Sequence, residues 1–310
     1  MEPIQNAFSS LMKNKQFQDT FQKMRIEVRN HSKVQAFLQE HRQEITDDMI
    51  DLSLNKLYEY IGQSVNCEDC PSIDSCKNMV QGYHPHLTIQ GKRVDLQYER
   101  CPNGEKYDKR KKHESLIKCL YMPKDILNAS MLNLSLEERE RYEAISAAKQ
   151  FLVQYEKGTF TQGLYFYGPF GVGKTYILGA IANELAEEGI STMLVYLPEF
   201  LRELKSSISD GTLEEKIQAV KKVDVLMLDD IGAEQMSSWA RDEILGTILQ
   251  YRMLEKLPTL FTSNADLSQL EHHLTYSQRG EEEKVKAARV VDRIRYLAKP
   301  IQIAGQNRRY

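Results

Sequence analysis

No stretch of the sequence approaches the roughly 18 consecutive apolar residues that a membrane-spanning helix requires, which excludes an integral membrane protein of the helical kind. The net charge is only −3, so nothing global draws the chain to nucleic acid, and any such contact must come from local patches. There is one tryptophan, no internal repeat and no low-complexity tract. The amino terminus, MEPIQNAFSSLMKNKQF, lacks the apolar centre of a signal peptide and carries charges throughout, which points to the cytoplasm. Cysteine is scarce as well, and four of the five lie between 67 and 101. In a reducing compartment these are thiols or metal ligands rather than disulfides.

The 310 residues suffice for two domains, and 41% hydrophobic with 27% charged residues is ordinary globular composition. From Phe17 to Tyr60 there is neither proline nor glycine, and Val34, Phe37 and Leu38 recur at helical spacing. The texture then turns loop-rich, with LTIQGKRVDLQY predicted as a hairpin around Gly91. A charge run, EKYDKRKKHE, opens a connector expected over 106–135, and Ser135 with Glu138 forms a capping-box helix start. From there onward helices alternate with apolar runs. The expected division is 1–105 as a small, mainly helical domain, 106–135 as linker, and 136–310 as an α/β nucleotide-binding domain.

The chemistry concentrates in that last part. GPFGVGKT, from Gly168 to Thr175, matches G-x-x-x-x-G-K-[ST] between a strand pattern, LYFYG, and a helical one, ILGAIANELA. Gly168, Pro169, Phe170, Gly171, Val172 and Gly173 form the loop whose backbone N–H groups curl around phosphates, and Tyr176 continues it. Lys174 reaches the β/γ-phosphates, and the Thr175 hydroxyl is a Mg²⁺ ligand. A glycine-rich turn would satisfy the pattern alone, but the strand–loop–helix context does not. VDVLMLDDIG supplies a buried strand that ends in Asp229, for Mg²⁺, and Asp230, for a nucleophilic water. Glu is common at the second position, so the shorter Asp230 leaves slow hydrolysis open. LPTLFTSNADL ends a third strand in Asn264, able to hold the attacking water or simply to cap a helix. Arginines follow: Arg279 before an acidic run, then Arg289 and Arg293 on one helical face. For any single one a solvated helix face is the simpler account. The lone Trp239 reads as packing.

In this order the motifs YGPFGVGKTYILGAIANELA, VLMLDDIGAE, TLFTSN and ARVVDRI…PIQIAGQNRR resemble an AAA+ ATPase module, across about 136–310. In detail they are similar to the bacterial replicative-helicase loaders of the DnaI and DnaC type and to the related transposition ATPase IstB. The cysteine-bearing amino-terminal half is like the DnaI type of Firmicutes. The resemblance implies ATP binding with Walker A at Lys174 and Thr175, Walker B at Asp229 and Asp230, and sensor 1 at Asn264. It further implies a trans-acting finger at Arg279 and sensor 2 at Arg293. It implies partners too: a hexameric DnaB-like helicase, other primosomal proteins, single-stranded DNA, and further copies of the chain once assembled on the helicase. An IstB-like transposition ATPase, a small-molecule kinase and a nucleotide switch without turnover are the alternatives.

The cysteine segment suits a structural zinc ion, which takes four S or imidazole N donors in a tetrahedron and contributes folding energy to a loop-rich module. Of Cys67, Cys70, Cys76, His84, His86 and Cys101, the expected set is Cys67, Cys70, His84 and Cys101, at the two ends of the hairpin, with Cys76 the alternative to His84. Cys119 reads as a core residue in a helical stretch. The basic run of Lys106, Lys109, Arg110, Lys111 and Lys112 is either a solvated linker or a phosphate-backbone contact.

Overall fold

A computed structural model describes residues 15–65, 70–134, 139–276 and 282–308, which fall into two units that divide between Lys111 and Lys112. In the N-terminal unit, four helices, α1 (Lys15–Asn30), α2 (Ser32–Glu40), α3 (Asp47–Leu52) and α4 (Leu54–Ile61), precede a hairpin of β1 (Tyr83–Gln90) and β2 (Arg93–Arg100). The hairpin turns at Gly91, with φ of 59°, where a side chain would be strained. Its register, Leu87 opposite Leu96 and Ile89 opposite Val94, puts one apolar face against the helices. Val28, Val34, Ile50, Leu54, Leu57 and Tyr60 meet Leu87, Val94 and Leu96 in that small core. Polar side chains close its edges. The Val94 N–H donates to Ser53 Oγ at 2.8 Å, and the Ser64 N–H donates to Asn78 Oδ1 at 2.6 Å. Asn78 Nδ2 donates in turn to the Ser64 and Tyr83 carbonyls.

The C-terminal unit is a six-stranded parallel sheet. Its strands are β3 (Ile117–Leu120), β4 (Gly163–Tyr167), β5 (Thr192–Tyr196), β6 (Val225–Asp229), β7 (Thr259–Ser263) and β8 (Ala298–Gln302), in the order β3-β5-β6-β7-β4-β8. Strands covered on both faces read as continuous apolar runs, as LYFY and VLML do. Alternate residues go to opposite layers. Leu164, Phe166, Leu194, Met227 and Leu260 face α6 (Arg139–Gln154) and α7 (Lys174–Glu187). Tyr165, Val195, Leu228 and Phe261 face α8 (Leu197–Asp210), α9 (Leu213–Lys222), α10 (Gly246–Leu254), α11 (Leu267–Thr275) and α12 (Lys284–Leu297). Arg252, fully buried, clamps the start of β6 and β7. Its guanidinium donates to the Lys221, Val223 and Pro258 carbonyls and to Thr259 Oγ1, the last at 2.8 Å.

Several expectations change here. The stretch 106–135, expected as a linker, carries regular structure: Pro102–Leu116 is a helix, α5, and the next four residues form β3, the edge strand beside β5. High charge made 106–116 look solvated, yet charge spread around a helix is compatible with helicity when one side stays wet. Cys119 lies in that edge strand rather than in a helix, half-buried, its thiol pushed up to about 11 by burial. Trp239 precedes a π-helical turn, Ala240–Leu245, and packs partly buried against the α8–α12 layer. The Ser135–Glu138 cap lies outside the described residues. No helix among the described residues is long and apolar enough to cross a membrane.

Candidate functional site

Three neighbouring strands, β4, β7 and β6, end in polar residues on one edge of the sheet, where parallel strands present ligand sites. The loop Gly168–Gly173 leaves β4 and becomes α7 at Lys174. All three of its glycines have a positive φ that disfavours any side chain. A Cβ on Gly168 would stand 1.9 Å from the Ile303 carbonyl, and Gly173, at φ of 92°, would set one 2.9 Å from Arg141 Nη2. Lys174 is buried, and its Nζ donates to the Gly168 and Pro169 carbonyls and, at 2.8 Å, to Asn264 Oδ1. Phe170 is exposed at the tip of the loop.

Across the loop, Thr175 Oγ1 donates to Asp229 Oδ1 at 2.8 Å, and Thr262 Oγ1 donates to the same oxygen at 2.6 Å. Asp229 is buried, and that burial raises its pKa, opposed by the two hydroxyls and by Lys174. A hydroxyl and a buried carboxylate side by side are hard oxygen donors, a set that fits Mg²⁺. Asp230 takes the left-handed conformation, φ of 61°, held by its own N–H donating to Thr262 Oγ1 at 2.8 Å. Asn264 Nδ2 then donates to Asp230 Oδ1 at 2.9 Å. Lysine, two acids and an amide thus form one connected network.

The cleft over this network has a volume of about 870 Å³, within the range of ligand pockets. One wall is the P-loop. The opposite side, with Tyr121, Met122, Pro123, Ile126 and Leu134, comes from the stretch expected to be linker. Arg141, Tyr196 and Arg308, which no motif in the sequence marks as site residues, line the same cleft. Arg293 is not among its lining residues; its Nη1 donates to the Gly246 carbonyl at 2.9 Å, where the π-turn meets α10. Arg279 lies outside the described residues.

In the N-terminal unit Cys67 also lies outside the described residues, and among those described no three His, Cys, Asp or Glu side chains converge as a metal site. Cys70 Sγ donates to the Ser72 carbonyl, and His84 Nε2 stands 3.6 Å from Glu99 Oε2. Cys101 is buried and opens α5, with the Gly104 N–H donating to its Sγ at 3.3 Å. Cys70 and Cys101 are linked indirectly, because Asn103 Nδ2 donates to the Cys70 carbonyl at 2.6 Å. Cys76 stays half-buried in the loop between them.

A phosphate loop after the sheet's β4, an acidic pair at the end of β6 and an amide at the end of β7 define the class: an AAA+ P-loop ATPase fold, a parallel sheet flanked by helices. A family model for IstB-like ATP binding protein matches residues 142–310, and one for the N-terminus of primosomal protein DnaI matches 1–98. Over 310 residues the chain is 49% identical to the replicative helicase loader DnaI of Bacillus subtilis, covering 100% of each. The chain belongs to the DnaI family of replicative helicase loaders. It is 26% identical over 170 residues to the replicative helicase loader DnaC of Escherichia coli, covering 54% of this chain and 63% of that one. A crystal structure of DnaI superposes with a TM-score of 0.57 at 56% identity, covering 64% of this chain and 100% of that one. A putative primosome component from Streptococcus pyogenes does so at 0.54 and 40%, covering 64% and 97%.

Proposed function

We propose that this chain is an ATP-dependent loader that places a hexameric DnaB-like replicative helicase on single-stranded DNA, in the cytoplasm and alongside other primosomal proteins. The observation that carries the reading is the full-length 49% identity to a replicative helicase loader together with the joined Lys174–Asn264–Asp230 network. The N-terminal match over 1–98 speaks against the transposition ATPase that the C-terminal match alone would allow.

In this reading Gly168 to Gly173, with Lys174, Thr175 and Tyr176, hold the phosphates of ATP, and Lys174 balances the β/γ charge. Thr175 and Asp229 hold Mg²⁺, whose charge neutralises the phosphate oxygens when it is bound. Asp230 accepts a hydrogen bond from the attacking water, and Asn264 orients Asp230 while touching Lys174, so the γ-phosphate and the base share one positioning residue. Arg279 acts on the nucleotide of a neighbouring copy, and Arg293 reaches a nucleotide only once chains assemble on the helicase. In the N-terminal unit we assign zinc to Cys67, Cys70, His84 and Cys101, with Cys76 the alternative to His84; the Asn103 link between two of these is what supports it. That unit docks on the helicase.

Turnover of ATP is the test, measured with the helicase and single-stranded DNA separately and together, with light scattering on the same mixtures. A nucleotide-dependent complex that disappears in Lys174→Ala, with turnover down at least about 100-fold, is the expected result. Brisk turnover with a small phosphate acceptor and no complex would sink the loader reading.

A further inference from the structure

Arg141 stands in the nucleotide cleft as a buried cation, only 3% exposed, in the first described turns of α6. Its Nη2 lies 2.9 Å from the point where a Cβ on Gly173 would be, against the residue that caps α7. That is the positive end of a helix of 14 residues, which disfavours a cation and favours an anion. Burial acts in the same direction and lowers the pKa of the guanidinium. An anion in the cleft would meet a guanidinium fork and a helix N-terminus at one place.

The position selects which part of the nucleotide is meant. Lys174 and the acids cluster at the γ-phosphate end, tied to Asn264 at the end of β7. Gly173 and Tyr176 flank Lys174 and Thr175 in the sequence, in the stretch whose backbone N–H groups meet the α- and β-phosphates. Arg141 touches the first of these, and Tyr176 contributes to the electrostatic field at its guanidinium. We propose that Arg141 is a nucleotide-binding residue acting in cis on the α-phosphate side, where ATP and ADP are alike, and not an arginine that senses the γ-phosphate. The inference rests on the reading of this cleft as an ATP site. Arg308, which lines the same cleft from an exposed segment whose N–H donates to the Gly171 carbonyl at 3.0 Å, is the natural comparison.

The experiment is titration of the full chain with fluorescent mant-ATP and mant-ADP in the presence of Mg²⁺, for wild type, Arg141→Met, Arg141→Lys and Arg308→Ala. Melting without nucleotide is followed in parallel. Arg141→Met is expected to weaken both nucleotides by about tenfold alike, leaving their affinity ratio unchanged, as loss of one charge-assisted hydrogen bond does. Arg141→Lys, which keeps the charge and loses the fork, recovers part of that loss. Arg308→Ala loses less, because water screens its charge. Wild-type affinity in Arg141→Met overturns the proposal, and so does a loss confined to ATP. Should the methionine variant not fold, wild-type affinities for both nucleotides in Arg141→Lys overturn the bidentate contact. Failure of the wild type to bind either nucleotide would instead overturn the ATP reading itself.

Discussion

The two units spend their buried polar side chains differently. In the N-terminal unit Ser53, Gln63 and Asn78 are buried, and all serve the fold: Ser53 ties α4 to β2, Gln63 Nε2 donates to Tyr98 OH at 2.7 Å, and Asn78 staples the loop before β1. The apolar core that they rim is one small cluster. In the C-terminal unit two apolar layers sandwich the sheet, and many buried polar groups, such as Arg241 and Arg252, are structural as well, but not all. Lys174, Asp229 and Thr262 are instead gathered at the strand ends. A large core holds backbone geometry without polar help, so polar side chains can be placed for chemistry at some cost in stability. A small core cannot spare them, and gains from a staple.

The strongest way to break this contrast is to test the zinc proposed above for the N-terminal unit. Structural zinc sites contribute on the order of 10 kcal/mol to folding. A strong chelator, or Cys101→Ser, is therefore expected to abolish the cooperative unfolding of the N-terminal unit while the C-terminal transition stays in place. Metal content and calorimetry measure this directly; an unchanged N-terminal transition in metal-free protein would remove zinc from the account. Next in size is Arg252→Met. Five hydrogen bonds are lost, four to backbone carbonyls and one to the Thr259 hydroxyl, so a loss of about 3–5 kcal/mol confined to the C-terminal transition is expected in denaturant unfolding. Asn78→Ala leaves the Ser64 and Tyr83 carbonyls without their donor and should cost about 1–3 kcal/mol in the other unit.

Most of the C-terminal fold was legible because its signals are local. The P-loop needs glycine where φ is positive, and the apolar strands need residues covered on both faces, so GPFGVGKT, VLMLDD and TLFTSN mark strand, turn and polar end in a few letters. The hairpin at Gly91 was readable for the same reason. What could not be read depends on partners distant in sequence. Arg141 in EERERYEAIS looks like any solvated helix start; its burial comes from α7 and the loop. β3 is four residues long, follows a basic helix and becomes a strand only by pairing with β5. Arg293 sits on the predicted helix, yet its carbonyl partner at Gly246 depends on a π-turn that no pattern announces.

A smaller effect, opposite in sign, tests whether the C-terminal unit really yields stability to function. Burial raises the Asp229 pKa above the ordinary carboxylate value. A raised carboxylate stabilises the fold below its unfolded pKa, and that contribution is lost as pH climbs through the folded one. Above the folded pKa and without Mg²⁺, the unit carries a buried charge. Asp229→Asn keeps both threonine hydroxyls satisfied through its Oδ1 and removes the charge. It is expected to raise the C-terminal melting point at pH 7.5 by the equivalent of roughly 0.5–2 kcal/mol, with the gain shrinking toward pH 4. The same variant should lose the stabilisation that Mg²⁺ and ATP give the wild type. A destabilised variant at pH 7.5 would mean that the carboxylate is structural, and the contrast between the units would weaken.

The least effect is expected where both units look alike, at exposed ion pairs. Arg29 Nη2 lies 2.6 Å from Asp47 in the first unit, and Arg202 Nη2 lies 3.3 Å from Glu234 in the second. Water screens such pairs and ordering the side chains opposes them, so Arg29→Ala and Arg202→Ala should each cost about 0.5 kcal/mol and less in high salt. Arg29 carries the sharper half of the test. Its pair joins the end of α1 to the start of α3, across the small core, where little apolar surface is available to compensate a loss. A cost near 2 kcal/mol there, with Arg202→Ala still near 0.5, would mean that surface charge rather than a metal makes up for the small core. Equal small costs leave the division as drawn, with burial holding the C-terminal unit and the proposed metal left as the candidate support of the N-terminal one.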